Sequence, residues 1–85
     1  MEVAYLQQAL ADLEFWRTSG NKSIQVKISL LIESIKANPY KSLGKPEPLK
    51  YGLAGKWPRR INKEHRLVYE VEKSKIFVYS LKGYY

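Results

Sequence analysis

The apolar positions of this chain change period part-way along, dividing it into a helical half and a strand half. Leu6, Ala9, Leu10, Leu13 and Trp16 recur at helical spacing, with Gln7, Gln8, Asp12 and Arg17 on the other side. Ser19-Gly20-Asn21 supplies the turn chemistry that closes this helix. A second stripe, Ile24, Ile28, Leu31 and Ile35, predicts a helix from about Lys22 to Asn38, stopped by Asn38-Pro39. Two amphipathic helices this close in sequence fold back as an antiparallel hairpin with both stripes on a common core. Glu2–Tyr5, ahead of them, reads either as an edge strand or as the lead-in to the first helix.

After Pro39 the periodicity stops. Residues 40–56 carry Pro46, Pro48, Gly44, Gly52 and Gly55 and read as a structured loop. Three strand-like runs follow, Trp57–Asn62, Arg66–Glu72 and Lys75–Leu81, joined by polar links short enough for hairpins. The expected fold is α+β, a helical hairpin packed on one face of an antiparallel β-sheet. Alternation puts Leu67, Tyr69 and Val71 on one face of the middle strand and Arg66, Val68 and Glu70 on the other. In the last strand Phe77, Tyr79 and Leu81 are in phase and are expected to meet the helices, with Ser80, Lys82 and Tyr84 opposite. Arg66 and Tyr84 then share the open face, and Arg60 joins them if the hairpin register allows.

Composition narrows the picture without changing it. The 85 residues make a single domain, 1–85, which buries roughly 60–65% of its unfolded surface. No cysteine and one histidine leave no thiolate site and argue against a transition-metal centre, so no metal and no cofactor is expected. No apolar run approaches the roughly 18–20 residues of a membrane span, and Glu2 does not suit a secretory signal. A cytoplasmic protein with no membrane partner is expected.

Charge is where the sequence becomes specific. Between Lys41 and Arg66 stand eight cations (Lys41, Lys45, Lys50, Lys56, Arg59, Arg60, Lys63, Arg66) against two carboxylates, a local +6 of the chain's formal +7. Such a concentration, with a pI near 9.7, suits a polyanionic partner. One of the two carboxylates, Glu47, lies between Pro46 and Pro48 inside the basic segment. In-line attack on a phosphodiester needs a base near the 2′-hydroxyl, cations on the non-bridging oxygens and an acid at the leaving oxygen. A carboxylate among arginines and lysines meets the first two needs; a solvated loop charge is the plainer alternative for Glu47. His65, the single histidine, is expected to be a turn-side surface residue facing away from Arg66, and Trp16 and Trp57 to be core or rim aromatics.

The run KPEPLK, followed by W-x-RRI-x-x-EHRLVY and a C-terminal aromatic pair, resembles the YoeB/Txe family of the RelE/ParE toxin superfamily, and the resemblance covers essentially the whole chain. It implies two helices on an antiparallel sheet and an mRNA endoribonuclease, the toxin of a type II toxin–antitoxin pair, acting without metal in the ribosomal A site. The 2′-hydroxyl would attack the adjacent phosphate and leave a 2′,3′-cyclic phosphate and a 5′-hydroxyl. The resemblance gives Glu47 the role of general base and Arg66 that of stabilising the phosphorane. Lys50 and Arg60 would contact phosphates, with Arg59 and Tyr85 counted among the RNA-binding residues. It also implies three partners, a cognate antitoxin, the ribosome and mRNA, and leaves homodimer formation open.

The family's acid is a histidine next to the chain's end, where this sequence has Tyr84. A phenol with an ordinary pKa of about 10 can still protonate a far more basic alkoxide. Tyr84 is therefore read as the acid or as a base-stacking aromatic. Two other functions stay open: a ParE-like inhibitor of DNA gyrase, and a translation inhibitor that binds the A site without cleaving.

Overall fold

The computed structural model describes residues 2–39 and 55–83, and within them the elements run β1 (Glu2–Tyr5), α1 (Gln7–Ser19), α2 (Lys22–Ala37), β2 (Lys56–Arg60), β3 (Arg66–Glu72) and β4 (Lys75–Ser80). Both helices end for local reasons. Gly20 takes the left-handed conformation at φ 75° after α1, and the Asn21 side chain accepts the Ile24 amide to open α2. The expected loop over residues 40–56 falls mostly outside the described residues, as do Glu47, Lys50, Tyr84 and Tyr85.

The sheet order is β1-β4-β3-β2. β2, β3 and β4 form an antiparallel meander, as expected, but β1 pairs parallel with β4, so the four-stranded sheet is mixed. β1 occupies that edge because Val3 and Tyr5 sit level with Ile76 and Val78 and pack against the same core. Antiparallel pairing alone was expected because four residues show too little alternation to identify a strand.

The core lies between the helices and one face of the sheet. Ile24, Ile28, Leu31, Ile32 and Ile35 of α2 meet Leu67, Tyr69, Ile76, Val78 and Leu81, with Ala9 and Trp16 from α1. This corrects the expected phase of β4, because Ile76 and Val78 face the helices in place of Phe77 and Tyr79. Tyr69 pairs with Val78 but Val68 pairs with Ser80, so Tyr79 is an extra residue. That bulge resets the alternation and returns Leu81 to the core.

α1 departs from its sequence pattern at two positions. Leu10, expected in the stripe, is 56% exposed, whereas Asp12, expected outside, is 4% exposed. Asp12 is tolerated there because its carboxylate accepts the Gln8 side-chain amide at 2.8 Å and the Leu81 backbone amide at 2.9 Å.

Candidate nucleic-acid interface

The face of the sheet turned away from the helices is set by the β2–β3 register. Lys56, Pro58 and Arg60 stand opposite Glu70, Val68 and Arg66. Pro58 fits because β2 is an edge strand, where a missing N–H costs no ladder bond. The two ends of this face differ in charge. At one end the Tyr79 hydroxyl donates to Glu70 Oε1 at 2.7 Å, and Lys56 Nζ lies 4.6 Å from the centre of the Tyr79 ring. At the other end Arg60 and Arg66 face each other directly across the strands.

Like charges directly opposite on one face destabilise a sheet. The pair is supported by backbone: Arg66 Nη1 donates to the carbonyls of Asn62 at 2.6 Å and His65 at 3.1 Å. Those bonds hold one edge of the Arg66 guanidinium at the β2–β3 turn. Arg60, by contrast, is exposed. A guanidinium's planar fork can take two phosphate oxygens at once, so a pair of them at one end of the face suits an anion chemically.

The chain's C-terminal stretch is drawn to the same end. The Arg66 amide donates to the Gly83 carbonyl at 2.9 Å, and the Gly83 amide donates to His65 Nδ1 at 3.0 Å. Tyr84 follows Gly83 directly in sequence. Gly83 adopts φ 99°, a conformation glycine reaches without strain. His65 is half-buried, with its ring edge-on to Trp16 at 4.8 Å, so it is a docking residue as well as a turn residue.

Arg59 does not belong to this surface, contrary to the expectation that it contacts RNA. Period-2 alternation turns it from Arg60 toward the helices, where it is fully buried. Its Nε donates to the Tyr69 hydroxyl at 3.2 Å, Nη1 to Ser34 Oγ at 3.1 Å and Nη2 to the Asn38 carbonyl at 3.0 Å. Tyr69 in turn donates to the Pro39 carbonyl. This network ties β2 and β3 to the last described residues before position 40. Arg59 thus anchors the point from which the segment carrying Glu47 and Lys50 departs.

The phenols of Tyr79 and Tyr5 are held above their ordinary pKa. For Tyr79 the main cause is the hydrogen bond to Glu70, followed by burial. For Tyr5 it is burial, followed by the charge of Glu33. Tyr5 belongs to the helix side, where a groove of about 450 Å³ is lined by Tyr5, Leu13, Trp16, Ile28 and Ile32 among others. No helix among the described residues is long and apolar enough to cross a membrane.

Known proteins share this fold. The family model described as "YoeB-like toxin of bacterial type II toxin-antitoxin system" matches residues 5–85. Toxin YoeB of Synechocystis sp. is 39% identical over 85 residues, covering 100% of this chain and 98% of that protein. Among solved structures, a YoeB/ParE toxin from Agrobacterium tumefaciens superposes with a TM-score of 0.94 at 39% identity, with full coverage of both chains. The toxin chain of a YoeB–YefM complex from Staphylococcus aureus does so at 0.89 and 40% identity, covering 100% of this chain and 98% of that one. A match of this extent, on the same two-helix, mixed-sheet fold, places the chain in the YoeB-like toxins of bacterial type II toxin–antitoxin systems.

Proposed function

We propose that the protein is a ribosome-dependent endoribonuclease that cuts mRNA in the A site and so arrests translation. The observation that carries this reading is the Arg60–Arg66 pair, two like charges opposed on one sheet face with Gly83 held against the Arg66 backbone. Glu47 accepts the proton of the ribose 2′-hydroxyl as that oxygen bonds to phosphorus. Arg66, with Arg60 and Lys50, takes the charge gathering on the non-bridging oxygens. Tyr84 gives its proton to the departing 5′-oxygen as the P–O5′ bond breaks, leaving a 2′,3′-cyclic phosphate and a 5′-hydroxyl. Tyr85 stacks on a neighbouring base. Arg59 has no part in this set, because its guanidinium is committed inside the fold.

An antitoxin that silences this site should cover the basic face with an acidic or amphipathic segment. The YoeB–YefM complex from Staphylococcus aureus supports an antitoxin partner.

Purified ribosomes programmed with end-labelled mRNA test the reading. The wild type should give discrete cuts within the A-site codon. Glu47→Ala should lower the rate by roughly 10²–10⁴-fold and Arg66→Ala by roughly 10²–10³-fold. Full activity in both variants would overturn the mechanism. Occupancy without cleavage would favour the A-site blocker, and inhibition of purified DNA gyrase would favour the ParE-like alternative. Tyr84→Phe and Tyr84→His separate acid from stacker: loss in the first with gain in the second makes Tyr84 the acid.

A further inference from the structure

Leu81 and Gly83 are each held through both amide and carbonyl by groups from distant parts of the chain. Asp12 accepts the Leu81 amide, and Trp16 Nε1, one helical turn further along α1, donates to the Leu81 carbonyl at 2.9 Å. Gly83 is then caught on both sides by consecutive residues: its amide by His65 Nδ1 and its carbonyl by the Arg66 amide.

The imidazole is itself held in place. Asn62 Oδ1 accepts the amides of Glu64 and His65 at 2.8 Å each. The His65 carbonyl accepts the amides of Ile61 and Asn62 at 3.0 and 3.3 Å, and Trp16 meets the ring edge-on. A ring nitrogen that accepts carries no proton, so the ring's hydrogen sits on Nε2. Arg66 is both the neighbour of His65 and the residue whose amide completes the grip, so anchoring and catalysis share one turn of chain.

We propose that His65 is a positioning residue, whose accepting Nδ1 fixes Gly83, the residue before Tyr84, beside Arg66. The anchor stands on the observed hydrogen bonds; its consequence for cleavage rests on the nuclease reading above. His65 does not itself replace the family's acid, because its ring lies on the helix side, against Trp16, while the Arg60–Arg66 pair occupies the opposite face.

Isolated ¹⁵N-labelled protein tests the anchor without any ribosome. In the wild type, the His65 Nδ1 shift should be that of an unprotonated nitrogen. Gly83 should exchange its amide about 3–10-fold faster in His65→Phe, which keeps an aromatic edge for Trp16 but removes the acceptor. In His65→Asn, whose Oδ1 stands near the place of Nδ1, protection should return. The Tyr69 and Val78 amides should not change in either variant. A protonated Nδ1, or unaltered Gly83 exchange in His65→Phe, overturns the anchor whatever the enzymology.

On programmed ribosomes, His65→Phe should lower kcat with KM unchanged, and His65→Asn should recover most of the loss. An unchanged kcat in His65→Phe despite a freed Gly83 overturns the positioning role. Absence of cleavage by the wild type would instead remove the nuclease reading and leave the anchor standing.

Discussion

The carboxylate of Asp12 accepts the backbone amide of Leu81 at 2.9 Å, joining the first helix to the chain's end across 69 residues of sequence. Asp12 is nearly inaccessible to solvent and also holds the Gln8 side-chain amide. Asp12→Ala leaves the Leu81 amide without this acceptor, at a cost of about 1–3 kcal/mol. For a domain of this size that corresponds to a melting temperature lower by roughly 5–20 °C, measurable by calorimetry. Asp12→Asn keeps one acceptor oxygen and should lose much less.

Arg59 and Arg60, adjacent in sequence, should respond in opposite ways to the same change. Truncating Arg59 strips donors from the Tyr69 hydroxyl, Ser34 and the Asn38 carbonyl together. Arg59→Ala should cost at least about 3 kcal/mol, since each hydrogen bond to a charged group contributes roughly 1.5–3 kcal/mol. Arg60→Ala, at an exposed site facing another cation, should stay within about 0.5 kcal/mol of the wild type or gain slightly. Denaturant midpoints distinguish the two. In RNA affinity the order reverses: Arg60→Ala should flatten the salt dependence of single-strand binding by about 0.7 in log–log slope.

This contrast was legible in the sequence once alternation was carried through β2. A strand that turns Arg60 outward must turn Arg59 inward, beside Trp57. Counted by charge alone, both arginines read as surface residues. Asp12 had a signal too, since helical spacing puts it on the side of Ala9 and Trp16, but a carboxylate is assigned outward by default. Helix limits, the α2 stripe and the three-strand meander were all readable, because local periodicity and turn residues decide them. The parallel pairing of β1 and the bulge at Tyr79 were not. Both depend on where distant strands meet, and a single extra residue inverts the alternation beyond it. The same limit hid the docking role of His65, whose partner is 18 residues away.

The β3–β4 hairpin closes through Lys73 and Ser74, both at positive φ, 50° and 63°. A two-residue turn of this kind favours Asn-Gly, since other side chains meet steric strain there. Replacing Lys73-Ser74 with Asn-Gly should raise stability by about 1–2 kcal/mol. The turn is remote in register from the Arg60–Arg66 end, so cleavage on ribosomes should be unaffected. An unchanged unfolding midpoint would mean that the strain is relieved elsewhere.

The Tyr79–Glu70 bond carries a pH signature. The Tyr79 phenol is held above its ordinary value because its proton is donated to Glu70 and because ionisation would set two anions side by side. A raised folded-state value stabilises the fold fully below the unfolded pKa of about 10, and that contribution is lost as pH rises through the folded value. Stability should therefore fall with alkalinity from about pH 10 upward. Tyr79→Phe should remove the Glu70-dependent part of this slope while leaving the part due to Tyr5. Urea midpoints between pH 8 and roughly pH 11 check the slope, and tyrosinate absorbance should show one fewer late-titrating phenol in the variant. Identical slopes in the two proteins would mean that the hydrogen bond to Glu70 does not govern the ionisation of Tyr79.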